Sequence, residues 1–129
     1  MGGLVGVGVD LAEVGRFRAL AERTPELLER MFRAEELAAV PADGPGRWRL
    51  LAARFALKEA VAKALGAPPG LDWRDCAVSC AGSAFSIRLL GPAAEHAAAL
   101  GIADWRLSVD VEAGRVVAVA LAVPDIAAG

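Results

Sequence analysis

The longest helical pattern in the chain covers residues 47–65, and it constrains the fold more than any other segment. At about 100° per residue, its apolar positions form one stripe along the helix, and Gly66 follows as a stop signal. A stripe of this kind packs against a protein core. It consists of Leu50, Leu57, Val61, Ala64 and Leu65. We therefore expect one long central helix with this face directed into the core.

The first forty residues combine one strand with shorter helices. LVGVGVD at residues 4–10 is a short Val-rich apolar run ended by an acid, which predicts a buried first strand. Its glycines do not complete a dinucleotide-binding GxGxxG loop, because Leu11 occupies the last glycine position. Helical patterns follow at residues 12–23 and then up to about Val40. Thr24-Pro25 supplies an N-cap and a proline at the first position of the second helix.

The second half of the chain changes its hydrophobic period. Four short strand-like runs are separated by turn residues and by one alanine-rich helical stretch at residues 92–100. The runs are residues 76–80 with 84–90, and residues 105–111 with 115–123. They predict two β-hairpins. The order β, several helices, ββ, α, ββ indicates an α+β fold in a single domain, residues 1–129, with the long helix packed on a small antiparallel sheet.

Composition and charge exclude several classes of protein. A formal net charge of −2 gives no indication of a nucleic-acid binder. The apolar start lacks a basic n-region and is interrupted by Asp10, so we expect neither a signal peptide nor a membrane span. Cys76 and Cys80 would lie roughly 13 Å apart on a strand, too far for a disulfide. Free thiols without an export signal favour the cytoplasm. The only histidine, His96, is interpreted as structural, and no zinc site is expected.

Both lysines of the chain lie in the long helix, on either side of Glu59. The chain has 14 cationic side chains, and all except Lys58 and Lys63 are arginines. Glu59 and Lys63 form either a solvated i,i+4 pair or a functional pair, since a compact ammonium suits one oxygen of a phosphate. Asp10 is either a helix N-cap or, with Glu59, one of two carboxylates. One or two carboxylates together with substrate phosphates are a common way to hold Mg²⁺.

Two motifs resemble those of a known enzyme family. GVDLAEVGRF at residues 8–17 and ARFALKEAVAKALG at residues 53–66 resemble the two motifs of the holo-acyl-carrier-protein synthases, small 4′-phosphopantetheinyl transferases. The separation of the motifs and the total length also match. The resemblance implies a Mg²⁺-dependent enzyme of lipid metabolism. It would transfer the 4′-phosphopantetheine arm of coenzyme A to a serine of an apo acyl carrier protein and release adenosine 3′,5′-bisphosphate.

The resemblance also implies roles for residues of the first two motifs. Asp10 and Glu59 correspond to metal ligands, and Glu59 also to the group that activates the serine hydroxyl. Lys63 corresponds to a catalytic lysine that reaches the diphosphate. Arg54 and Lys58 correspond to basic positions near the coenzyme phosphates.

Further positions are matched outside the central helix. Arg16 corresponds to an arginine that meets the acidic carrier protein, and Arg23, seven residues later, would share its helix face. These two arginines are alternatively solvated surface residues. Ser108 corresponds to a serine of the third motif that contacts the coenzyme. The resemblance implies a homotrimer with each site between neighbouring subunits.

The chain departs from the family at two places. Val111 occupies the position where many members have a histidine, and Gly82-Ser83-Ala84 lacks the basic residue often found in that loop. These departures leave open a divergent member that binds or scaffolds the carrier protein with weak or no transfer. An unrelated binder of coenzyme A or a nucleotide is a further alternative. The sequence distinguishes neither fatty-acid from polyketide carriers nor coenzyme A from its acylated forms.

The last strand-like run predicts self-association. VVAVALAV at residues 116–123 has little polar alternation. A single 129-residue domain would have difficulty covering both faces of such a strand. We therefore expect a homo-oligomer.

Overall fold

The computed structural model of the protein describes residues 3–125. Five helices and five strands follow one another in an α+β arrangement, which confirms the predicted class. A 3₁₀ turn, Trp73–Asp75, lies between the longest helix and the first hairpin. In chain order the elements are β1 (Gly6–Glu13), α1 (Val14–Arg23), α2 (Leu27–Met31), α3 (Ala34–Ala38), α4 (Gly44–Ala64), β2 (Cys76–Ala81), β3 (Ala84–Leu89), α5 (Gly91–Ala99), β4 (Ile102–Glu112) and β5 (Arg115–Pro124).

The strands form two antiparallel sheets. The three-stranded sheet has the order β1-β5-β4, so the last strand lies in its centre. The register sets Asp10 opposite Ala118 and Ser108 opposite Val119. The two-stranded sheet is the β2-β3 hairpin, which turns at residues 82–83 as predicted.

Helix α4 is the central element, and small residues allow it to approach the larger sheet closely. A Cβ atom added to Gly8 would lie 1.7 Å from the carbonyl oxygen of Ala60, and one added to Gly6 would lie 2.1 Å from that of Ala64. The glycines of β1 therefore serve helix–sheet packing. This agrees with the rejection of a dinucleotide loop.

Helix α4 is buried on more than one side. Besides the apolar stripe, the side chains of Ala52, Ala56 and even Lys58 are at most 2% exposed. The stripe itself lies in the core, with Leu57 at 0% exposure and Leu50 half-buried at its edge. Ten of the 21 residues of α4 are buried, as expected for a helix that packs against the sheet on one side and against α3 and the hairpin on another.

The larger sheet has one covered face and one face open to solvent in the single chain. Along β5, residues 116, 118, 120 and 122 are fully buried beneath α4, whereas Val117 is 40% exposed. On β1, Val7 and Val9 are 52% and 48% exposed. The prediction of a buried first strand is therefore wrong for the single chain, because β1 is an edge strand with only one covered face.

Three predicted helix starts also differ from the structure. Helix α1 begins at Val14, because β1 continues through residue 13. Helix α2 begins at Leu27 with Glu26 as its N-cap residue and no side-chain cap, so Thr24 does not cap it. Helix α4 begins at Gly44, earlier than predicted, since Pro45 fits the first helical turn, where no backbone N–H is needed.

Candidate active site

An ion pair joins the two sequence motifs at the carboxyl-terminal end of α4. Nζ of Lys63 lies 2.9 Å from Oδ1 of Asp10 and donates a second hydrogen bond to the carbonyl oxygen of Val9 at 3.1 Å. The Lys63 side chain is 52% exposed, whereas that of Asp10 is only 16% exposed. The strand therefore holds the carboxylate in place, and the lysine remains accessible to a ligand.

Glu59 belongs to the same electrostatic cluster. The pKa of the Lys63 ammonium is raised above its ordinary value, first by its hydrogen bond to Asp10 and by the charge of that carboxylate, with Glu59 adding a smaller contribution. Lys63 is thus kept in its charged form, mainly by its contact with Asp10. The solvated i,i+4 interpretation does not describe this arrangement, because the lysine has a partner 53 residues away in the sequence.

Each carboxylate has one oxygen that is held by a hydrogen bond. Oε1 of Glu59 accepts a hydrogen bond from the indole Nε1 of Trp73 at 2.6 Å, and Oδ1 of Asp10 is held by Lys63. Within residues 3–125, Oε2 of Glu59 and Oδ2 of Asp10 accept no hydrogen bond. Two carboxylates are the hard oxygen donors that Mg²⁺ prefers when substrate phosphates supply the remaining ligands. In the same part of the chain, no group of three or more His, Cys, Asp or Glu residues could hold a metal alone.

An apolar cavity of about 220 Å³ adjoins this cluster. It lies between α4, the following loop and the 3₁₀ turn, and Glu59 forms part of its wall. Its apolar lining includes Val61, Leu65, Leu71 and Trp73. An apolar cavity beside a few convergent polar groups is typical of a small-molecule site.

Lys58 is not available to a phosphate, which corrects its predicted role as a coenzyme ligand. Its side chain is 1% exposed, and Nζ donates to Oε1 of Glu36 at 2.9 Å, to the carbonyl oxygen of Trp73 at 2.9 Å and to that of Cys76 at 2.5 Å. An ammonium has three N–H donors, and all three are used here. The physical reason is the helix geometry, which turns Lys58 away from Lys63 and toward α3 and β2.

Arg54 lies on the same side of α4 as Lys58. It is 3% exposed, and its Nη1 donates to the carbonyl oxygen of Leu50 at 3.3 Å. Its Nε is buried and has no hydrogen-bond partner in the described part of the chain, and the side chain lines a groove between α3 and the β2-β3 hairpin. Nine residues separate Arg54 from Lys63, which corresponds to about 13 Å along the helix and to opposite sides of it. Within one chain, the two cations therefore do not belong to one cluster.

The third-motif residues are divided between the two faces of the larger sheet. Ser108 and Asp110 are exposed on the face that points away from α4. Val111 is half-buried on the opposite face, where it packs against the core and lies near Val14 and Trp48. Asp110 and Val111 thus follow the usual strand alternation. Within one chain, Ser108 is not brought to the Asp10 and Lys63 pair, because Asp10 lies on the face toward α4.

Two predicted carrier-protein residues share a groove on α1. Arg16 and Arg23 are both exposed and line it together with Arg115 from the start of β5. Its apolar wall includes Leu11, 74% exposed, and Leu20, 43% exposed. The groove therefore combines positive charge with apolar surface.

The cysteines and the histidine lie outside this cluster. Cys76 and Cys80 are both free, as expected. Burial raises the pKa of the Cys76 thiol to about 12, so it stays protonated and unreactive. The ring Nε2 of His96 lies 2.9 Å from the carbonyl oxygen of Leu65, which fits its structural interpretation.

Two side chains of the site were not predicted from the sequence. Trp73 lies in a stretch read as loop, and Glu36 in a short helix with several acids. The sequence signal for Glu36 is the spacing of a capping box, in which a Glu follows the N-cap residue by three positions. In the structure Glu36 accepts a hydrogen bond from the backbone N–H of Arg33 at 2.9 Å. Nothing local distinguished Trp73 from an exposed loop aromatic.

Comparisons with known proteins identify the family to which the chain is similar. Residues 6–120 match the model of the 4′-phosphopantetheinyl transferase superfamily. A holo-[acyl-carrier-protein] synthase from Frankia casuarinae is 49% identical over 92% of this chain and 97% of its own. The structure of holo-ACP-synthase from Plasmodium yoelii matches with a TM-score of 0.84 and 25% identity, covering 97% of this chain and 98% of its own.

A second solved structure shows a related protein with a ligand. Holo-[acyl-carrier-protein] synthase from Helicobacter pylori, in complex with coenzyme A, matches with a TM-score of 0.75 and 27% identity, covering 90% of this chain and 98% of that one. The family match extends over both motifs and over the strands that carry Asp10 and Ser108. With its carboxylate–lysine cluster and this breadth of similarity, the chain belongs to the 4′-phosphopantetheinyl transferase superfamily.

Proposed function

We propose that the protein is a holo-acyl-carrier-protein synthase, which transfers the 4′-phosphopantetheine arm of coenzyme A to a serine of an apo acyl carrier protein. The observation that carries this proposal is the exposed Lys63 ammonium paired with Asp10 at 2.9 Å, one helical turn from Glu59. Relatives named for this activity, with identities of up to 49% over most of the chain, support the same conclusion. The reaction breaks a phosphoanhydride bond, forms a phosphodiester with the serine oxygen and releases adenosine 3′,5′-bisphosphate.

The charge distribution of the site suits phosphoryl transfer. This chemistry needs positioning and charge stabilisation more than covalent assistance from the protein. Lys63 would contact an oxygen of the coenzyme diphosphate, since its ammonium is exposed and remains charged. Glu59 would accept the proton of the carrier serine, directly or through a water molecule, with the oxygen that Trp73 leaves free.

Asp10 and Glu59 would hold a Mg²⁺ ion. Among residues 3–125, each carboxylate has one oxygen that accepts no hydrogen bond, and substrate phosphates complete such sites. A bound Mg²⁺ supplies charge stabilisation to the phosphate oxygens. Each carboxylate lies on a regular element and has its other oxygen held by a hydrogen bond, from Lys63 to Asp10 and from Trp73 to Glu59.

The groove on α1 would receive the carrier protein. Arg16, Arg23 and Arg115 supply positive charge, and Leu11 and Leu20 supply apolar contact. An acidic, amphipathic surface of the partner fits such a groove, because charge complementarity guides docking and the apolar side chains add buried area. Which type of carrier protein docks there is not determined by these residues.

The active form would be a homotrimer. The open face of the larger sheet carries Val7, Val9 and Val117, each at least 40% exposed in the single chain. A neighbouring subunit on this face would cover the apolar strands. Ser108 lies on the same face, so its contact with the coenzyme would be made at the subunit boundary. Arg54 does not lie on this face, and a contact with a coenzyme phosphate would be made in the groove between α3 and the β2-β3 hairpin.

We further propose a cytoplasmic location. Cys76 and Cys80 are free thiols, which persist in a reducing compartment. The structure of residues 3–125 contains no helix that is both long and apolar enough to span a bilayer.

Intact-mass measurement of an apo acyl carrier protein tests the proposed reaction. The carrier is incubated with the protein, coenzyme A and MgCl₂, and we expect it to gain the mass of one phosphopantetheinyl group. Glu59→Gln should reduce the rate by about 10²–10⁴-fold, the usual contribution of a general base. Glu95→Gln, a matched change on the exposed face of α5, should retain the wild-type rate.

Two results would contradict the proposal. Wild-type protein that adds no mass to any acyl carrier protein tested is not a transferase of this class. If it nevertheless binds the carrier, the protein acts instead as a divergent carrier-protein-binding or scaffold protein. An unchanged transfer rate for Glu59→Gln would show that Glu59 does not act as the general base.

A further inference from the structure

The 3₁₀ turn Trp73–Asp75 connects Glu59 to a buried ion pair. The indole of Trp73 donates its N–H to Oε1 of Glu59 at 2.6 Å. The backbone carbonyl of the same residue accepts a hydrogen bond from Nζ of Lys58 at 2.9 Å. Trp73 therefore contacts two consecutive residues of α4, one with its side chain and one with its main chain.

Lys58 holds this turn at both ends. Its ammonium also donates to the carbonyl oxygen of Cys76, which follows the turn directly. The third N–H goes to Oε1 of Glu36, which lies on α3. A single buried cation thus fixes the main chain on either side of the turn, and Trp73 has a defined backbone position.

Both carboxylate oxygens of Glu36 accept hydrogen bonds. Oε1 accepts from Lys58 and from the backbone N–H of Arg33 at 2.9 Å, and Oε2 accepts from the backbone N–H of Val78 at 3.0 Å. Both side chains of the ion pair are 1% exposed. A buried pair with all its hydrogen bonds satisfied is rigid, because breaking any contact leaves a buried polar group without a partner.

The indole ring is oriented by packing as well. The Trp73 ring lies 6.0 Å from that of Phe55, with the planes tilted by 54°. Phe55 in turn packs against Phe17 on α1 at 5.5 Å. Trp73 is nevertheless 39% exposed, so its position is not explained by burial alone.

We infer that Trp73 is a positioning residue for Glu59, held in place by the buried Lys58–Glu36 pair. Its N–H fixes one oxygen of the Glu59 carboxylate and leaves the other directed to the bound ion or the carrier serine. Lys58 thus acts behind the site, through the turn, and not on the coenzyme. This inference rests on the proposed function of Glu59, but the contact between Trp73 and Glu59 can be tested separately.

The first test uses Trp73→Phe, which keeps an aromatic ring and removes the N–H. Without this N–H the Glu59 side chain must be ordered when the ion binds, so we expect the Mg²⁺ concentration for half-maximal transfer to rise by about two- to tenfold. The KM for the carrier protein should not change. Trp105→Phe is the matched control, because Trp105 is a half-buried tryptophan on β4 whose indole makes no hydrogen bond among the described residues. Trp73→His, which restores a ring N–H, should recover part of the loss.

The second test does not depend on activity. In a protein carrying Trp48→Phe and Trp105→Phe, Trp73 is the remaining tryptophan of the chain. Its fluorescence should change on addition of MgCl₂ with adenosine 3′,5′-bisphosphate, and Glu59→Gln should abolish the change. This measurement retains the native residue at position 73, so it remains informative if Trp73→Phe fails to fold.

The outcomes separate the inference from the proposed function. If wild-type protein transfers the arm and Trp73→Phe has the same Mg²⁺ dependence as Trp105→Phe, the positioning role is overturned and the function stands. If the fluorescence of Trp73 does not respond while the wild type is active, Trp73 does not report on the ion site and the inference also fails. If wild-type protein transfers nothing, the proposed function is overturned, and the positioning role in that reaction is overturned with it.

Discussion

At the scale of single residues, the two lysines of α4 have different roles although they are five positions apart. Lys63 is exposed and pairs with Asp10 at the site. Lys58 is buried and pairs with Glu36 behind it. The difference follows from helix geometry, because five residues correspond to a rotation of about 140°. The same residue type is therefore accessible to a ligand at one position and buried in the structure at the other.

Replacing each lysine by methionine should separate these roles. Lys58→Met removes one member of a buried ion pair and leaves Glu36 charged without its partner, which typically costs about 3–5 kcal/mol of unfolding free energy. Lys63→Met removes an exposed cation, so its unfolding free energy should change by less than about 1 kcal/mol while phosphopantetheine transfer is lost. Chemical denaturation at fixed protein concentration, together with the carrier-mass assay, measures both effects.

A second substitution at Glu36 provides the control for Lys58. Lys58→Met combined with Glu36→Gln leaves no isolated charge in the core, so the double variant should recover part of the lost stability. Equal unfolding free energies for Lys58→Met and Lys63→Met would contradict the buried-pair assignment.

At the scale of secondary-structure elements, the close contact between β1 and α4 brings the site together. Asp10 lies on β1, and Glu59 and Lys63 lie on α4. Gly6 and Gly8 allow the helix backbone to approach the strand more closely than any side chain would permit. The distance between the Asp10 and Lys63 side chains therefore depends on these two glycines.

Gly8→Ala should strongly lower the free energy of unfolding. The new methyl group would lie 1.7 Å from a backbone carbonyl oxygen of α4, so the helix or the strand must shift. We expect a loss of about 3 kcal/mol or more in unfolding free energy, at the upper end of what overpacking costs. Transfer activity should fall as well, because the Asp10–Lys63 contact is displaced.

Gly15→Ala on α1 is the matched control. A Cβ atom there meets nothing within 4 Å. The change should be neutral or stabilise the protein by up to about 1 kcal/mol, since alanine favours a helix. A Gly8→Ala protein as stable as Gly15→Ala in chemical denaturation would show that the close approach is not needed.

At the scale of the whole molecule, the open face of the larger sheet bears on both stability and function. It carries exposed valines of β1 and β5. It also carries Ser108, which within one chain lies on the opposite face of the sheet from Asp10. Both observations are accounted for if the site is completed by a second copy of the chain.

Light scattering at micromolar concentration should therefore give the mass of a trimer. Val9→Lys introduces a charge on the open face and should shift the mass toward the monomer, because burying an unpaired charge is costly. Leu100→Lys is the control, since Leu100 is also exposed, at 41%, but lies at the end of α5. A monomeric wild-type protein, or an unchanged mass for Val9→Lys, would contradict assembly through this face.

The sequence by itself determined the order of the elements, the α+β class and the residues of the Asp10, Glu59 and Lys63 cluster. Helical and strand periods, turn glycines and short motifs are local properties, and they can be read without knowing what packs where. The predicted first residues of α1, α2 and α4 differ from those in the structure, because the start of a helix depends on its caps and on neighbouring strands.

Only the tertiary structure decided the roles of Lys58, Glu36 and Trp73, and which face of β1 is left open. Lys58 meets Glu36 from 22 residues away and Trp73 from 15 residues away, so no local pattern distinguishes it from a lysine that binds a ligand. The exposure of Val7 and Val9 likewise depends on which face of the sheet α4 covers, because the sequence of an apolar strand does not show whether one face or both are covered. The burial of a charged side chain and its hydrogen-bond partners depend on contacts between segments that are distant in the sequence. Whether such a side chain is buried in an ion pair or exposed to a ligand therefore follows from the tertiary structure.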